Sequence, residues 1–184
     1  MISSNDLKNG MAIEYDGDLL EVIYFQHVKP GKGGAFVRTK LKNLLTGAIF
    51  EKTFRAGEKL NQAILETKKM QYLYKDGHYN FMDNTSYEQM SLDENQIGDR
   101  KYFLLENMEV SMVFYKGKAI SIQLPTFVEV KITDTEPGIK GDTVSSSFKP
   151  AEIETGAKVQ VPLFIEKGDL IRVDTRTGEY ITRV

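Results

Sequence analysis

Leu20-Glu-Val-Ile-Tyr-Phe-Gln-His-Val28 and Ala35-Phe-Val-Arg-Thr-Lys-Leu-Lys-Asn-Leu44, separated by Lys29-Pro-Gly-Lys-Gly-Gly34, decide how this chain is read. The first run is dense in branched and aromatic residues, which suit a pleated, half-buried surface. In the second, the two-residue period of a strand sets Arg38, Lys40 and Lys42 on one face and Val37 and Leu41 on the other. Leu45-Thr-Gly-Ala48 then turns the chain into a third strand, Ile49 to Phe54. Further glycine-centred turns stand at Asp16-Gly-Asp18, Asp76-Gly77, Lys116-Gly-Lys118, Lys167-Gly-Asp169 and Thr177-Gly-Glu179. Many short strands punctuated in this way predict an all-β chain of small barrels rather than a layered α/β domain.

Working outward, two boundaries suggest themselves. One lies between Asn61 and Lys68, before Gln71-Tyr-Leu-Tyr74 starts a new strand, and the other at Leu124-Pro-Thr-Phe127, ahead of Val128-Glu-Val-Lys-Ile132. They divide the chain into modules 1–64, 65–126 and 127–184, each near the lower size at which a core sustains itself. Partly closed barrels of the SH3-like and OB kinds suit that length. One helix is expected: Ser91-Leu-Asp-Glu94 has the form of a capping box, opening a stretch to about Glu106 that Gly98 weakens.

Composition narrows the function classes. Of 184 residues, 41% are hydrophobic and 27% charged, the balance of a soluble globular protein. With no cysteine, disulfides, thiol nucleophiles and thiolate metal sites are excluded. His27 and His78 lie apart, with no ligands at metal spacing, so no metal is expected. No Ser/His/Asp order or isolated carboxylate pair argues for an enzyme. The start, Met1-Ile-Ser-Ser-Asn-Asp6, lacks the basic and apolar regions of a signal peptide, and no apolar run is long enough to span a membrane. A cytoplasmic location is therefore expected, and the sequon Asn84-Thr-Ser86 is read as chance.

The net charge of −2 does not advertise a nucleic-acid partner, but its distribution is uneven. Residues 1–28 carry Asp6, Glu14, Asp16, Asp18 and Glu21 against Lys8. Residues 29–59 carry Lys29, Lys32, Arg38, Lys40, Lys42, Lys52, Arg55 and Lys59 against only Glu51 and Glu58. Within this basic segment, Pro30 stiffens the approach to Lys32, and Gly31, Gly33 and Gly34 strip bulk from around it. The loop is not a phosphate-binding P-loop, which would need Gly at position 26 and Ser or Thr at 33, where Gln26 and Gly33 stand. Nor is it a dinucleotide fingerprint, which would need a small residue in place of Phe36. From residue types alone two readings stay open: a hairpin tip whose lysine is merely solvated, or the end of a phosphate-facing basic stripe.

The loop Lys-Pro-Gly-Lys-Gly33, continuing into Ala35–Leu44 and Glu51-Lys-Thr-Phe54, closely resembles the N-terminal domain of the bacterial elongation factor P family. Lys149-Pro-Ala-Glu-Ile-Glu-Thr-Gly-Ala-Lys-Val-Gln-Val-Pro-Leu-Phe-Ile-Glu-Lys-Gly-Asp169 and Arg172-Val-Asp-Thr-Arg-Thr-Gly-Glu-Tyr180 look like that family's C-terminal signature. Gln71–Tyr74, Phe81-Met-Asp83, Leu105-Glu-Asn107 and Thr135-Glu-Pro-Gly-Ile-Lys-Gly-Asp-Thr143 are similar to it in between, so the resemblance covers the whole chain.

It implies an SH3-like (KOW-like) domain followed by two OB domains, arranged in a tRNA-like L with one or two short helices. It also implies a non-enzymatic translation factor that binds the 70S ribosome between the P and E sites, beside the peptidyl-tRNA, and helps join consecutive prolines. Lys32 matches the family's modified lysine. Its covalent extension, of a type the sequence does not specify, would be added by a separate enzyme and would approach the CCA end. Lys29, Gly31, Lys32, Gly33, Arg38, Lys40 and Lys42 would contact tRNA. Gly141, Asp142 and Thr143 would approach the mRNA at the E-site codon, with Tyr180 and Arg183 near the small subunit or tRNA. No further cofactor is implied, and a monomer is expected. A free-standing RNA-binding module or a paralogous factor with a different target are the alternatives.

Overall fold

Glycine-centred turns set the reversals of the chain. At Asp16-Gly17 (φ 51° and 86°) and Lys116-Gly117 (φ 49° and 77°) both central residues are left-handed, the turn geometry that matches the twist of a two-stranded hairpin. The computed structural model describes residues 1–138 and 147–184. Its strands form three antiparallel sheets in chain order, curled as half-barrels.

The first sheet contains β1 (Ile2–Ser3), β2 (Ala12–Tyr15), β3 (Asp18–Val28), β4 (Phe36–Asn43), β5 (Ile49–Arg55) and β6 (Lys59–Ala63), in the order β1-β6-β2-β3-β4-β5. The second contains β7 (Leu65–Lys75), β8 (Tyr79–Asp83), β9 (Gln89–Leu92), β10 (Glu109–Tyr115) and β11 (Lys118–Gln123), ordered β11-β10-β7-β8-β9. The third contains β12 (Phe127–Thr135), β13 (Phe148–Ile153), β14 (Lys158–Pro162), β15 (Leu170–Asp174) and β16 (Tyr180–Arg183), ordered β14-β13-β12-β15-β16.

By packing, the chain groups into two compact units. One comprises Met1–Lys68, Leu92–Gly98 and Met112–Ile122; the other comprises Lys69–Ser91, Asp99–Ser111 and Gln123–Val184. In the first unit, Leu7, Ile13, Leu20, Val22, Val37, Leu41, Phe54 and Leu60 fill the N-terminal barrel. A second cluster joins Ala12, Leu19 and Ala63 to Val113 and Ile120. Beside it, the Tyr115 hydroxyl donates to Glu14 Oε2 at 2.9 Å and Lys116 Nζ approaches the same oxygen at 3.3 Å. These two donors, the tyrosine first, hold the Glu14 carboxyl below its ordinary range. In the second unit, Val130, Ile132, Ile153, Val161, Ile165, Ile171 and Val173 form the C-terminal core, with Phe103 and Tyr180 packed against it. Gly138 approaches the Leu163 carbonyl so closely that a Cβ there would lie 2.1 Å from its oxygen, so no other residue fits without backbone movement.

The helix expected over residues 91–106 needs correction. Ser91 belongs to β9 and its hydroxyl donates to Asn80 Oδ1 at 2.6 Å, so it caps nothing. The capping box sits two residues later: Asp93 is the N-cap, and its N–H donates to Gln96 Oε1 at 2.9 Å. The helix α1 then spans only Glu94–Ile97, because Gly98 turns to φ 58°, ψ −142° and a 3-10 turn over Gly98–Phe103 replaces further α-helix. Glycine is the residue that allows this break.

Candidate nucleic-acid interface

β3 and β4 pair from Leu20↔Asn43 to Val28↔Phe36, and β5 continues the sheet from Lys42↔Ile49 to Phe36↔Arg55. Val37, Thr39, Leu41 and Asn43 are buried on the barrel side of β4, while Arg38 and Lys40 are exposed and Lys42 is half-exposed on the other. The expected one-faced stripe is therefore present. Thr39 makes the inner position tolerable for a polar side chain by donating from Oγ1 to the Lys52 carbonyl at 2.8 Å. Lys52 does not join the stripe: its ammonium lies 4.8 Å from the centre of the Tyr15 ring. Lys40 is partly balanced, with Glu51 across the strand at 3.8 Å.

The loop at the far end of this hairpin leaves Lys29, Pro30, Gly31, Lys32, Gly33 and Gly34 exposed. Its root is tied by the Ala56 N–H, which donates to the Ala35 carbonyl at 3.0 Å. Of the three glycines only Gly33 has a left-handed φ, +109°. A Cβ added at Gly31 or Gly34 would meet nothing within 4 Å. Lys32 is exposed and makes no ion pair or side-chain hydrogen bond among the described residues. A cleft of about 370 Å³ opens at the root, lined by residues including His27, Lys29 and Phe36. His27 stacks edge-on against Phe25, 5.6 Å between ring centres, and no cluster of three or more His, Asp or Glu side chains suited to a metal forms among the described residues.

One component of this face escaped the sequence. The β3–β4 register slips by one residue between Val22↔Leu41 and Tyr24↔Lys40, leaving Ile23 as a bulge. Val22 points into the barrel, and unbroken alternation would send Tyr24 the same way. The bulge instead turns Tyr24 and Gln26 outward, opposite Lys40 and Arg38. Tyr24 is 44% exposed. The only sequence signal was negative: Val22-Ile-Tyr-Phe25 is apolar on both faces and fixes no register.

The remaining expected contacts lie elsewhere. Gly141, Asp142 and Thr143 fall outside the described residues. Tyr180 is half-buried against the C-terminal core. Arg183 is exposed, 3.7 Å from Asp169 Oδ2 and 6.0 Å from the Phe164 ring centre. Sequence reasoning passed over a better-held arginine nearby. In the loop between β15 and β16, Arg176 donates from its backbone N and Nε to Asp174 Oδ1 (2.9 and 3.0 Å) and from Nη2 to Oδ2 (2.7 Å). That guanidinium fork holds the Asp174 carboxyl down to about 2. An Asp-x-Arg pattern beside a Gly turn was the available signal.

Comparison with known proteins finds related sequences along the full length. Residues 3–60 match the elongation factor P KOW-like domain, 65–122 its OB domain, and 120–183 its C-terminal domain. The elongation factors P of Symbiobacterium thermophilum and Moorella thermoacetica are each 58% identical over 184 residues, covering all of both chains. That of Natranaerobius thermophilus is 57% identical over 185 residues, covering 100% of this chain and 98% of its own. Among solved structures, translation initiation factor 5A from Methanococcus jannaschii shares the fold, with a TM-score of 0.52 and 24% identity over 67% of this chain and 90% of its own. The chain belongs to the elongation factor P family of translation factors.

Proposed function

We propose that this elongation factor binds the ribosome between the P and E sites, beside the peptidyl-tRNA, and promotes peptide-bond formation between consecutive prolines. In this reading it supplies no acid, base or nucleophile. Lys32, lengthened by a covalent group that a separate enzyme attaches, steadies the CCA end so that the ribosome's own chemistry proceeds. Holding a flexible reactant near its attack geometry lowers the barrier by pre-empting entropy loss. The observation that carries the reading is the exposed Lys32 amine on a tip continuous with the outward stripe of Arg38, Lys40 and Lys42. Lys29, Gly31 and Gly33 flank Lys32 along the chain and join it in contacting tRNA, and the three stripe residues follow tRNA phosphates, which position without reading sequence. Gly141, Asp142 and Thr143 are assigned to the E-site codon, and Tyr180 and Arg183 to the small subunit or tRNA. The factor works as a cytoplasmic monomer, with no cofactor beyond the Lys32 extension.

A polyproline reporter translated with wild-type factor or Lys32→Ala tests this. The variant is expected to stall at the proline run while other messages translate normally, and equal reporter yields would refute the reading. Mass spectrometry of the native peptide around Lys32 checks the extension, which an unmodified peptide would disprove. Salt-dependent binding to isolated single-stranded RNA, without ribosome co-sedimentation, would point to the free RNA-binding alternative.

A further inference from the structure

We propose that Tyr24 is a nucleoside-contacting residue of the same face, packing its ring on a base or ribose of the tRNA while the neighbouring cations hold phosphates. The inference rests on the tRNA-facing reading of the β3–β5 sheet above. Four observations support it. The ring is 44% exposed, although an ordinary strand would have turned it into the barrel beside Val22. A bulge at Ile23 performs that re-aiming, and bulges recur where a side chain is directed at a partner. The ring emerges directly opposite Lys40, with Gln26–Arg38 the next pair on the same face and the Glu21–Lys42 pair beyond the bulge on its other side. No aromatic or cation neighbour within the described chain occupies its face, unlike Tyr15 under Lys52 or Tyr115 under Lys116.

A flat amphipathic ring among guanidinium and ammonium groups is the arrangement by which proteins engage RNA without reading its sequence. The cations take the phosphates, the ring takes the apolar face of the nucleoside, and the Tyr24 hydroxyl and Gln26 amide are available to a 2′-hydroxyl. Four residue steps of strand run from Tyr24 to the last paired residue, Val28, or about 13 Å at about 3.3 Å per residue. A partner whose end reaches Lys32 therefore passes over Tyr24 several nucleotides earlier.

The division of labour gives the test. Full-length factor carrying its native Lys32 group is titrated onto ribosomes holding peptidyl-tRNA, over a series of potassium chloride concentrations. Tyr24→Ala is expected to weaken binding roughly tenfold at every salt concentration, leaving the salt slope unchanged, because a neutral stacking contact releases no counterion. Tyr24→Phe is expected to keep most of the affinity. Arg38→Ala is expected to flatten the slope by about one. Thermal melting of each variant, with Tyr24→Ile as a strand-preserving second truncation, confirms that the face is intact.

Wild-type affinity in both Tyr24→Ala and Tyr24→Ile would overturn the proposal. If Arg38→Ala still flattens the slope, that failure belongs to Tyr24 alone; if Arg38→Ala is also silent, the tRNA-facing reading of the sheet fails with it. Intact mass of Lys32 in each variant separates the other use of the face. Loss of the modification, with normal ribosome binding once the group is supplied, would assign Tyr24 to the modifying enzyme and overturn the proposal.

Discussion

Two loops of this molecule carry an exposed cation between paired antiparallel strands, and they treat it in opposite ways. In the Lys29–Ala35 loop, Lys32 is surrounded by glycine and proline and is bound to no described residue. In the Asp174–Glu179 loop, Arg176 is gripped through three nitrogens by one carboxylate, while the Asp174 N–H donates to the Glu179 carbonyl at 3.0 Å and the Gly178 N–H to the Asp174 carbonyl at 2.8 Å. Thr175 Oγ1 adds a bond to the Pro125 carbonyl at 2.7 Å. The second loop uses its cation to complete itself. The first leaves its cation exposed and unpaired among the described residues. A charged side chain in a turn is thus informative only together with its local acceptors.

The contrast can be broken most sharply by exchanging roles. Lys32→Ala should slow elongation through consecutive prolines roughly tenfold or more, since a mispositioned reactant is costly, while leaving the urea unfolding midpoint where it was. A shifted midpoint would show that the fold does lean on Lys32. Asp174→Asn should do the reverse, lowering the midpoint and sparing the elongation rate. It should also change the response to acid. Because the folded-state Asp174 carboxyl is held down to about 2, its contribution is complete above the ordinary carboxylate range and is lost as pH falls through about 2. Unfolding midpoints measured from pH 5 to pH 2 should fall less steeply for Asp174→Asn than for wild type; parallel curves would dissolve the distinction between the loops.

Smaller effects sharpen it. Gly33→Ala forces a side chain onto φ +109° and should destabilise the native loop by about 1–2 kcal/mol, readable by thermal melting. Glu51→Gln removes an exposed partner 3.8 Å from Lys40 and should change stability by less than about 0.5 kcal/mol. In ribosome binding, the same substitution should strengthen the interaction slightly at low salt by unmasking Lys40.

Much of the fold was legible because local rules agreed. Strands at Leu20–Val28, Ala35–Leu44 and Ile49–Phe54 occur within a residue or two of the places their branched residues and turn glycines indicated. The Arg38–Lys40–Lys42 stripe was legible because its intervening residues are uniformly inward. Two features were not. Ser91-x-x-Glu94 fits the capping pattern, but Ser91 is already committed to a strand whose Leu92 is buried, and Asp93-x-x-Gln96 satisfies the same rule two residues on. Competition between overlapping local signals is settled by burial, which a pattern does not contain. The Ile23 bulge was hidden for a related reason: a strand apolar on both faces permits either register, and pairing with β4 chooses.

Gly31 and Gly34 have a consequence that reaches outside the chain. Neither is held in a left-handed conformation, and neither has a neighbour that a methyl group would strike. Selection for stability alone has no reason to keep them; replacing either by alanine would even lower the entropy of the unfolded chain. A library randomised at both positions should drift freely when survivors are chosen for folding. It should return to glycine when they are chosen for growth on proline-rich proteins. Under that outcome the two residues are a mould of a cavity in another molecule, written into this one as missing atoms.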